Sequence, residues 1–576
     1  MHALPARRTG RAVTAVAIVL VLLTSFMAAI SSAHPARADE APDNQFVAVP
    51  PAVLADTRNG TGGVGSAKVP GKAKVTFQVA GQAEVPASGV SAVALNITAV
   101  GAEQPGWLTV HPSDAPATVS TLTFYPGENV TGEDFTRLTG TGMVSVVNNS
   151  DSPVHVVVAV RGYFLSAADT QAGNEYYPVD TQYLYDTRPG HVTGSPAREA
   201  TPIPANSSVT IDVAGQRGVP ATGANAVALN VVAWSQGQKG WLSLHPSDQP
   251  ANNVATVDYV PDETDSSFTV AQLTGSGKLI IENRGSGTVH VALTLRGYFT
   301  GTAEEGGAGY AAVPSRVIVE TLTGTGVPGG STRALAPGES VTFDVAQGVD
   351  LGEKIMASAA LTIQARQPTD KGWLTAYPAE DGDPDISSVN YDQAESTTGF
   401  DLVIPDSQGR VTVTNRGPGT THVQVSMRGY FTDPPMPAEY EDVTELSTTE
   451  TSPEEDEAAT AGAPSRHFRA RARLGFDRLT LPGLFEGRVW WHGRAPYELY
   501  INAEVLDNRA DGRCIGALVR MDGKVYSSWK DWVACGNQQR RTLKGWFQRT
   551  ATRVDFKACQ VHPKTRRYTW CTTEWK

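Results

Sequence analysis

Between residues 46 and 163, apolar and polar side chains alternate with a period of two, not 3.6. A strand turns successive side chains to opposite faces, so this pattern predicts strands with one buried face. The predicted strands are 46–54, 75–79, 92–98, 107–111, 119–125, 134–138, 143–147 and 155–163. Turn residues separate them: Gly60-Thr61-Gly62-Gly63, Pro86-Ala87-Ser88-Gly89, Gln104-Pro105-Gly106, Pro126-Gly127 and Thr139-Gly140. Short strands at this spacing, without a long amphipathic helix, predict an antiparallel sandwich, with a barrel as the second reading. Its layering is jelly-roll or immunoglobulin-like, and its strand order stays open.

The pattern recurs. Gly106-Trp107-Leu108 leads to Arg161-Gly162-Tyr163-Phe164, Gly240-Trp241-Leu242 to Arg296-Gly297-Tyr298-Phe299, and Gly372-Trp373-Leu374 to Arg428-Gly429-Tyr430-Phe431. The tryptophans are 134 and 132 positions apart, a domain-sized period. The chain is therefore all-β, with three tandem antiparallel β-sandwich repeats at 39–166, 174–300 and 309–433. The joints, 166–173 and 301–308, are rich in Gly and Ala and predict a string of independent domains rather than one globule.

The last strand of each repeat repeats its faces. Val423, Val425 and Met427 oppose His422, Gln424, Ser426 and Arg428, and the same split holds around His155–Arg161 and His290–Arg296. Each His–Arg pair therefore shares the more polar face. The histidines are read as half-exposed residues hydrogen-bonded beside the arginine. No His-x-His and no Cys accompanies them, so no metal site is assigned. Trp107, Trp241 and Trp373 follow a glycine at the start of a strand. They are read as covers over one end of the core, with sugar-stacking platforms as the second reading. Asp56-Thr57-Arg58 and Asp186-Thr187-Arg188 become Glu320-Thr321-Leu322 in the third copy, and Leu95-Asn96 and Leu229-Asn230 become Leu361-Thr362. An internal ion pair and turn cap is the first reading of this set. Asp381, Asp383, Asp385 and Asp392 echo a calcium loop, but Ile386 stands where such a loop needs Gly, so a solvated acidic turn is expected.

The ordered set of Asp-Thr-Arg, Gly218-Val219-Pro220-Ala221, Ala226-Val227-Ala228-Leu229-Asn230, Gly-Trp-Leu with His245-Pro246, and Arg-Gly-Tyr-Phe resembles β-rich repeats of secreted actinobacterial cell-surface proteins. The resemblance covers about residues 46–432 and implies an extracellular or cell-wall accessory module. It carries no settled activity, and the third copy departs from it at Glu320 and Leu322.

The ends of the chain change the picture. Arg7, Arg8 and Arg11 precede an apolar run over 13–30 and small-residue sites ending at Ala33 and Ala38. This predicts a signal peptide over 1–38, with an uncleaved anchor as the rival, and no transmembrane segment in the mature chain. Residues 434–465 are acidic and rich in Pro, Thr and Ala, which predicts a disordered linker. Residues 466–576 form a basic domain. From Ser465 onward there are 22 Lys+Arg against 10 Asp+Glu, so the rest of the chain holds −24 of the net −12. This tail holds seven of the eleven tryptophans and all four cysteines: Cys514, Cys535, Cys559 and Cys571. An even count in an exported chain predicts disulfides. A hairpin centred on Thr565 sets Cys559 opposite Cys571 and leaves Cys514 for Cys535, although three pairings are open. Strands are predicted at 488–492, 497–506, 515–521, 524–528, 541–547, 552–561 and 568–573.

Aromatics interleaved with cations suit stacking on sugars while the charges meet carboxylates or phosphates. The candidate binding residues are Trp529, Lys530, Trp532, Lys544, Trp546 and Arg549. A packed core wearing Arg for solubility is the competing reading. No Gly-x-Ser-x-Gly, His-Glu-x-x-His or phosphate loop occurs, so no catalytic residues, metal or cofactor are assigned. The expectation is a secreted or cell-wall-associated, non-enzymatic spacer whose last domain binds an anionic or carbohydrate polymer of the cell envelope, with no specific nucleic acid. The alternatives are an extracellular hydrolase and a purely structural surface protein.

Overall fold

The computed structural model describes residues 44–432, except 167–172, 190–200, 236, 302–306, 352–355, 380–382 and 407–408, together with the backbone of strands between 441 and 571. The predicted signal peptide lies outside the described residues. No α-helix occurs among those described, and none is long and apolar enough to cross a membrane.

Repeat 1 contains β1 (Phe46–Asp56), β2 (Lys74–Gln78), β3 (Val90–Val100), β4 (Gly106–Pro112), β5 (Leu122–Phe124), β6 (Val130–Arg137), β7 (Met143–Asn148) and β8 (His155–Leu165). Repeat 2 contains β9 (Glu175–Asp186), β10 (Ser208–Asp212), β11 (Ala224–Trp234), β12 (Gly240–Pro246), β13 (Val257–Tyr259), β14 (Thr264–Gln272), β15 (Lys278–Asn283) and β16 (His290–Thr300). Repeat 3 contains β17 (Gly309–Glu320), β18 (Ser340–Asp344), β19 (Met356–Arg366), β20 (Gly372–Pro378), β21 (Val389–Tyr391), β22 (Thr397–Val403), β23 (Arg410–Asn415) and β24 (His422–Thr432).

Each repeat forms two four-stranded antiparallel sheets with the same order. In repeat 1 they are β1-β8-β3-β6 and β2-β7-β4-β5. Leu95 and Val158 from the first sheet join Leu108, Val110 and Val146 from the second in one apolar cluster. Repeat 2 builds the same cluster from Leu229, Leu293, Leu242, Leu244 and Ile281. The period-two pattern thus turns one face of these strands to the repeat's own core.

The six sheets form a ring, and the expected string of domains does not hold. The outward faces of β1, β3, β6 and β8 meet their counterparts from the other repeats in a shared aromatic cluster. Phe46, Phe135 and Phe164 join Tyr176, Phe268 and Phe299 of repeat 2 and Tyr310, Phe400 and Phe431 of repeat 3. Backbone pairs between the first strands of the repeats close one end of this axis. Phe46 exchanges backbone hydrogen bonds with Asn174, Tyr176 with Ala308, and Tyr310 with Asn44.

The Arg-Gly-Tyr-Phe motif builds the seam. The registers of β3 with β8, β11 with β16 and β19 with β24 each slip by one residue at the arginine, so Arg161, Arg296 and Arg428 occupy β-bulges. A bulge re-aims its side chain. The glycine that follows has no Cβ because a ring lies there: an added Cβ would meet Phe46 at 2.2 Å from Gly162, Tyr176 at 2.5 Å from Gly297 and Tyr310 at 2.3 Å from Gly429. The arginines are not on a half-exposed polar face, as the alternation predicts, but are at most 2% exposed. Each reaches into the next repeat. Arg161 donates to Thr256 Oγ1 (3.1 Å). Arg296 forks onto Asp401 (2.6 and 2.9 Å). Arg428 meets Asp134 (2.9 Å) and Thr121 Oγ1 (2.9 Å). The handoff from repeat 1 to 2, 2 to 3 and 3 to 1 is head-to-tail and closed, as in a cyclic trimer.

The C-terminal region contributes β25 (Glu441–Asp442), β26 (Ser465–Arg471), β27 (Leu484–His492), β28 (Tyr497–Asp507), β29 (Cys514–Met521), β30 (Lys524–Ser527), β31 (Ala534–Cys535), β32 (Gln539–Ala551), β33 (Val554–Val561) and β34 (Tyr568–Cys571). One sheet runs β26-β27-β28-β32; the other runs β25-β30-β29-β33-β34, with β31 on β29. Strand β25 belongs to the segment predicted to be disordered; it pairs in parallel with β30, Glu441 opposite Tyr526. Apart from Ser465, which opens β26, the remainder of that segment lies outside the described residues.

Candidate functional site

The described candidate residues lie on the sheet β26-β27-β28-β32. Lys544 and Trp546 are two apart on β32 and share a face. The register carries that face across the sheet. Trp546 stands opposite Tyr500, which stands opposite Trp490. In the next row, Lys544, Asn502, Arg488 and His467 are consecutive partners. A third row is Thr542, Glu504, Glu486 and Arg469. The alternate positions in the same registers are Phe468, Phe485, Val489, Ile501, Val505, Leu543 and Phe547, together with Arg466, Trp491 and Arg541. Neighbouring strands lie about 4.8 Å apart, so the aromatic row extends roughly 10 Å across the strands, with the cationic row beside it. Arg549 falls outside this ladder, in the bulge between the Leu499–Phe547 and Glu498–Thr550 pairs. Trp529, Lys530 and Trp532 lie outside the described residues. The backbone register also sets Cys514 opposite Cys535 and Cys559 opposite Cys571.

The alternation in 484–492 and 497–506 was the signal for Trp490, Arg488 and Tyr500. Only the register shows that they align with Trp546 and Lys544.

The residues singled out in the repeats have mostly structural partners. Thr57 Oγ1 pairs with His155 Nδ1 (3.1 Å), and the same bond joins Thr187 to His290 (3.3 Å) and Thr321 to His422 (3.1 Å). The histidines thus answer the Asp-Thr-Arg threonine and not the arginine two turns of sequence away. Asp56 and Asp186 hold Arg58 and Arg188 by a bidentate fork and a backbone bond. The Arg58 side chain keeps the Asp56 carboxyl below its ordinary range. In the third copy Glu320 turns to Arg366. Asp383 is taken by Arg416 (2.6 Å), and Asp392 belongs to the axis described below, so the calcium-loop acids that are described do not converge.

Trp107 is 43% exposed and is not a core cover. Leu108 faces the core from the same strand, so period two sends Trp107 outward. Lys72 Nζ lies 6.0 Å from its ring centroid, and Arg284 lies 5.7 Å from that of Trp241. Trp241 and Trp373 are half-buried.

At one end of the ring axis a cleft gathers Glu128, Glu263 and Glu395, with Asp265 and Asp392. The three glutamates hold the same position in each repeat, four residues past Phe124, Tyr259 and Tyr391. Phe268 and Phe400 line its inner end. Burial, then the facing carboxylates, pushes Glu128 up to about 8 and Glu263 up to about 7. Asp265, Asp392 and Glu395 are raised as well, each chiefly by burial, and Lys371 opposes the shift at Glu263 and Asp392. A carboxyl whose folded value lies above its unfolded value binds more protons when folded. Its stabilising effect is present below the unfolded value and is lost as pH rises through the folded value. Between about pH 5 and pH 8 the ring therefore loses stability, and Tm is expected to fall by about 5 °C. Glu128→Gln flattens that slope and raises Tm at about pH 8. Scanning calorimetry across pH checks both; an unchanged slope in the variant contradicts the assignment.

No protein-family model matches the chain, and no curated protein matches it. Solved structures similar to it include a chain from "Life in the extremes: atomic structure of Sulfolobus Turreted Icosahedral Virus". It is 11% identical, covering 63% of this chain and 84% of that one, with a TM-score of 0.12. Another comes from "The Triple Jelly Roll Fold and Turret Assembly in an Archaeal Virus", 10% identical, covering 68% and 90%, with a TM-score of 0.13. At these scores neither likeness carries an argument about this chain.

Proposed function

We propose that this chain is a secreted, cell-wall-associated, non-enzymatic binding and spacer protein. In this reading three eight-stranded jelly-roll sandwiches form a closed base. A basic domain, stitched by Cys514–Cys535 and Cys559–Cys571, binds an anionic or carbohydrate polymer of the envelope. The sandwich reading is supported by the strand order that recurs in all three repeats and by the apolar cluster shared between paired sheets.

The observation that carries the binding reading is the row Trp490–Tyr500–Trp546 in register beside His467–Arg488–Asn502–Lys544. Aromatic faces stack on sugar rings or bases with little sequence demand, while cations draw acidic groups. Glu486 and Glu504 stand directly opposite each other in the next row. That pair opposes a polyphosphate backbone but accepts hydrogen bonds from hydroxyls. The face therefore favours a hydroxyl-rich, acidic glycan over nucleic acid.

The test is co-sedimentation of the mature chain with purified cell walls and with an acidic polysaccharide over a salt series. Binding is expected to weaken with salt as the cationic row is screened. The double substitution Trp546→Ala and Lys544→Ala is expected to reduce affinity by about 30-fold or more, about 2 kcal/mol. Retention unchanged by both salt and the double substitution contradicts the reading.

A further inference from the structure

A second cavity, of about 370 Å³, lies at the seam between repeats 1 and 3. Its lining includes His111, Asp134, Arg137, Ser315 and Arg428. A volume of this kind suits a ligand the size of a monosaccharide.

Two polar groups in it lack partners. His111 is 7% exposed, and its Nδ1 donates to the Pro112 carbonyl (2.7 Å). That bond uses the Nδ1 hydrogen, so a neutral ring presents an acceptor lone pair on Nε2. Nε2 has no hydrogen-bond partner. Arg137 Nε is likewise buried without one. Of the other charged groups in the lining, Arg428 pairs with Asp134 (2.9 Å), Asp134 also accepts from Thr136 Oγ1 (2.7 Å), and Asp114 accepts from Thr139 Oγ1 (2.6 Å). An isolated buried donor and acceptor are costly unless something answers them.

The sister repeats meet this position differently. His245 is the repeat 2 counterpart of His111; its Nε2 also makes no hydrogen bond, but a carboxylate, Glu282, stands 3.7 Å away. In repeat 3 the position is Tyr377, which bonds Thr414 Oγ1 (2.9 Å). The registers make Glu282, Thr414 and Val147 equivalent, so in repeat 1 a valine stands where the partner would be. Gln272 holds the repeat 2 position equivalent to Arg137. The unanswered imidazole and the unpaired cation coincide only in repeat 1 among the described residues.

We propose that this cavity binds a hydroxylated carboxylate of sugar-acid size. Arg137 takes the carboxylate, and His111 Nε2 accepts a hydroxyl hydrogen. A fully ionised inorganic anion fits poorly, because it offers no hydrogen to a neutral Nε2. A neutral sugar leaves Arg137 without its counter-charge. The site is separate from the C-terminal sheet and does not rest on the polymer-binding reading.

The test is calorimetric titration of the mature chain with sodium glucuronate, with glucose and acetate in parallel. Saturable binding with a Kd near or below about 1 mM is expected for glucuronate, at least about tenfold tighter than for the other two. Arg137→Gln and Val147→Glu copy residues that repeat 2 already accommodates. Each is expected to weaken glucuronate binding by about tenfold or more with Tm unchanged. The Trp546→Ala, Lys544→Ala variant is expected to retain this binding, which separates the two sites. No saturation with glucuronate overturns the proposal, as does equal affinity in wild type and Arg137→Gln, or acetate binding as tightly as glucuronate.

Discussion

Arg296→Ala is expected to lower the stability of the whole ring by about 3–5 kcal/mol. For a body of this size that is a fall in Tm of roughly 5 °C. Arg296 is 2% exposed and forks onto Asp401, itself 1% exposed, across the seam between repeats 2 and 3. Truncation leaves the Asp401 charge buried and unmatched. Most of the effect is the desolvation cost of that orphaned carboxylate rather than the worth of the pair. Replacing both residues together, Arg296→Met with Asp401→Leu, is therefore expected to recover most of the loss. Thermal unfolding of the two variants checks this. If the single variant matches wild type, the clamp does not hold the seam. If the double variant is worse than the single one, the orphaned-charge account fails.

Phe135→Ala is the second large effect, about 3–5 kcal/mol. Phe135 is 1% exposed. Its ring centroid lies 5.0 Å from Phe164 in its own repeat, 6.0 Å from Phe268 in repeat 2, and 4.9 Å from Phe400 and 5.5 Å from Tyr310 in repeat 3. Removing it opens a cavity on the axis, where no single repeat can collapse to fill it. Hydrogen exchange is expected to quicken in strands of all three repeats. Val110→Ala, inside the repeat 1 cluster, removes less volume and is the control. Exchange that quickens in repeat 1 alone under Phe135→Ala contradicts a shared core.

The strands were legible because each has one face in a repeat's own core. Val423, Val425 and Met427 alternate as the pattern requires and are fully buried. The hairpin arithmetic around Thr565 likewise agrees with the backbone register of Cys559 and Cys571. The ring was not legible. Its seam is made from residues that alternation assigns to solvent, above all Arg161, Arg296 and Arg428. A buried arginine and an exposed one look alike in sequence, and only the bulge and the facing acid tell them apart.

Two signals were available and unread. Glu128, Glu263 and Glu395 recur at 135 and 132 positions, close to the tryptophan period, which marks a common place in each copy. Phe46, Tyr176 and Tyr310 open the first strand of each repeat with an aromatic, and the glycine of Arg-Gly-Tyr-Phe makes room for its ring. On the C-terminal sheet, Lys544 and Trp546 could be read from composition. Their partners Arg488, Trp490 and Tyr500 could not, because register is a property of pairing and not of any one strand.

Closure of three copies into one body underlies the seam cavity and the acidic axis. Small-angle X-ray scattering of residues 42–433 tests it most directly. A compact body of that length has a radius of gyration of about 21 Å, and that value is the expected result. A radius of about 30 Å or more, with the elongated profile of three separate domains in line, would contradict it.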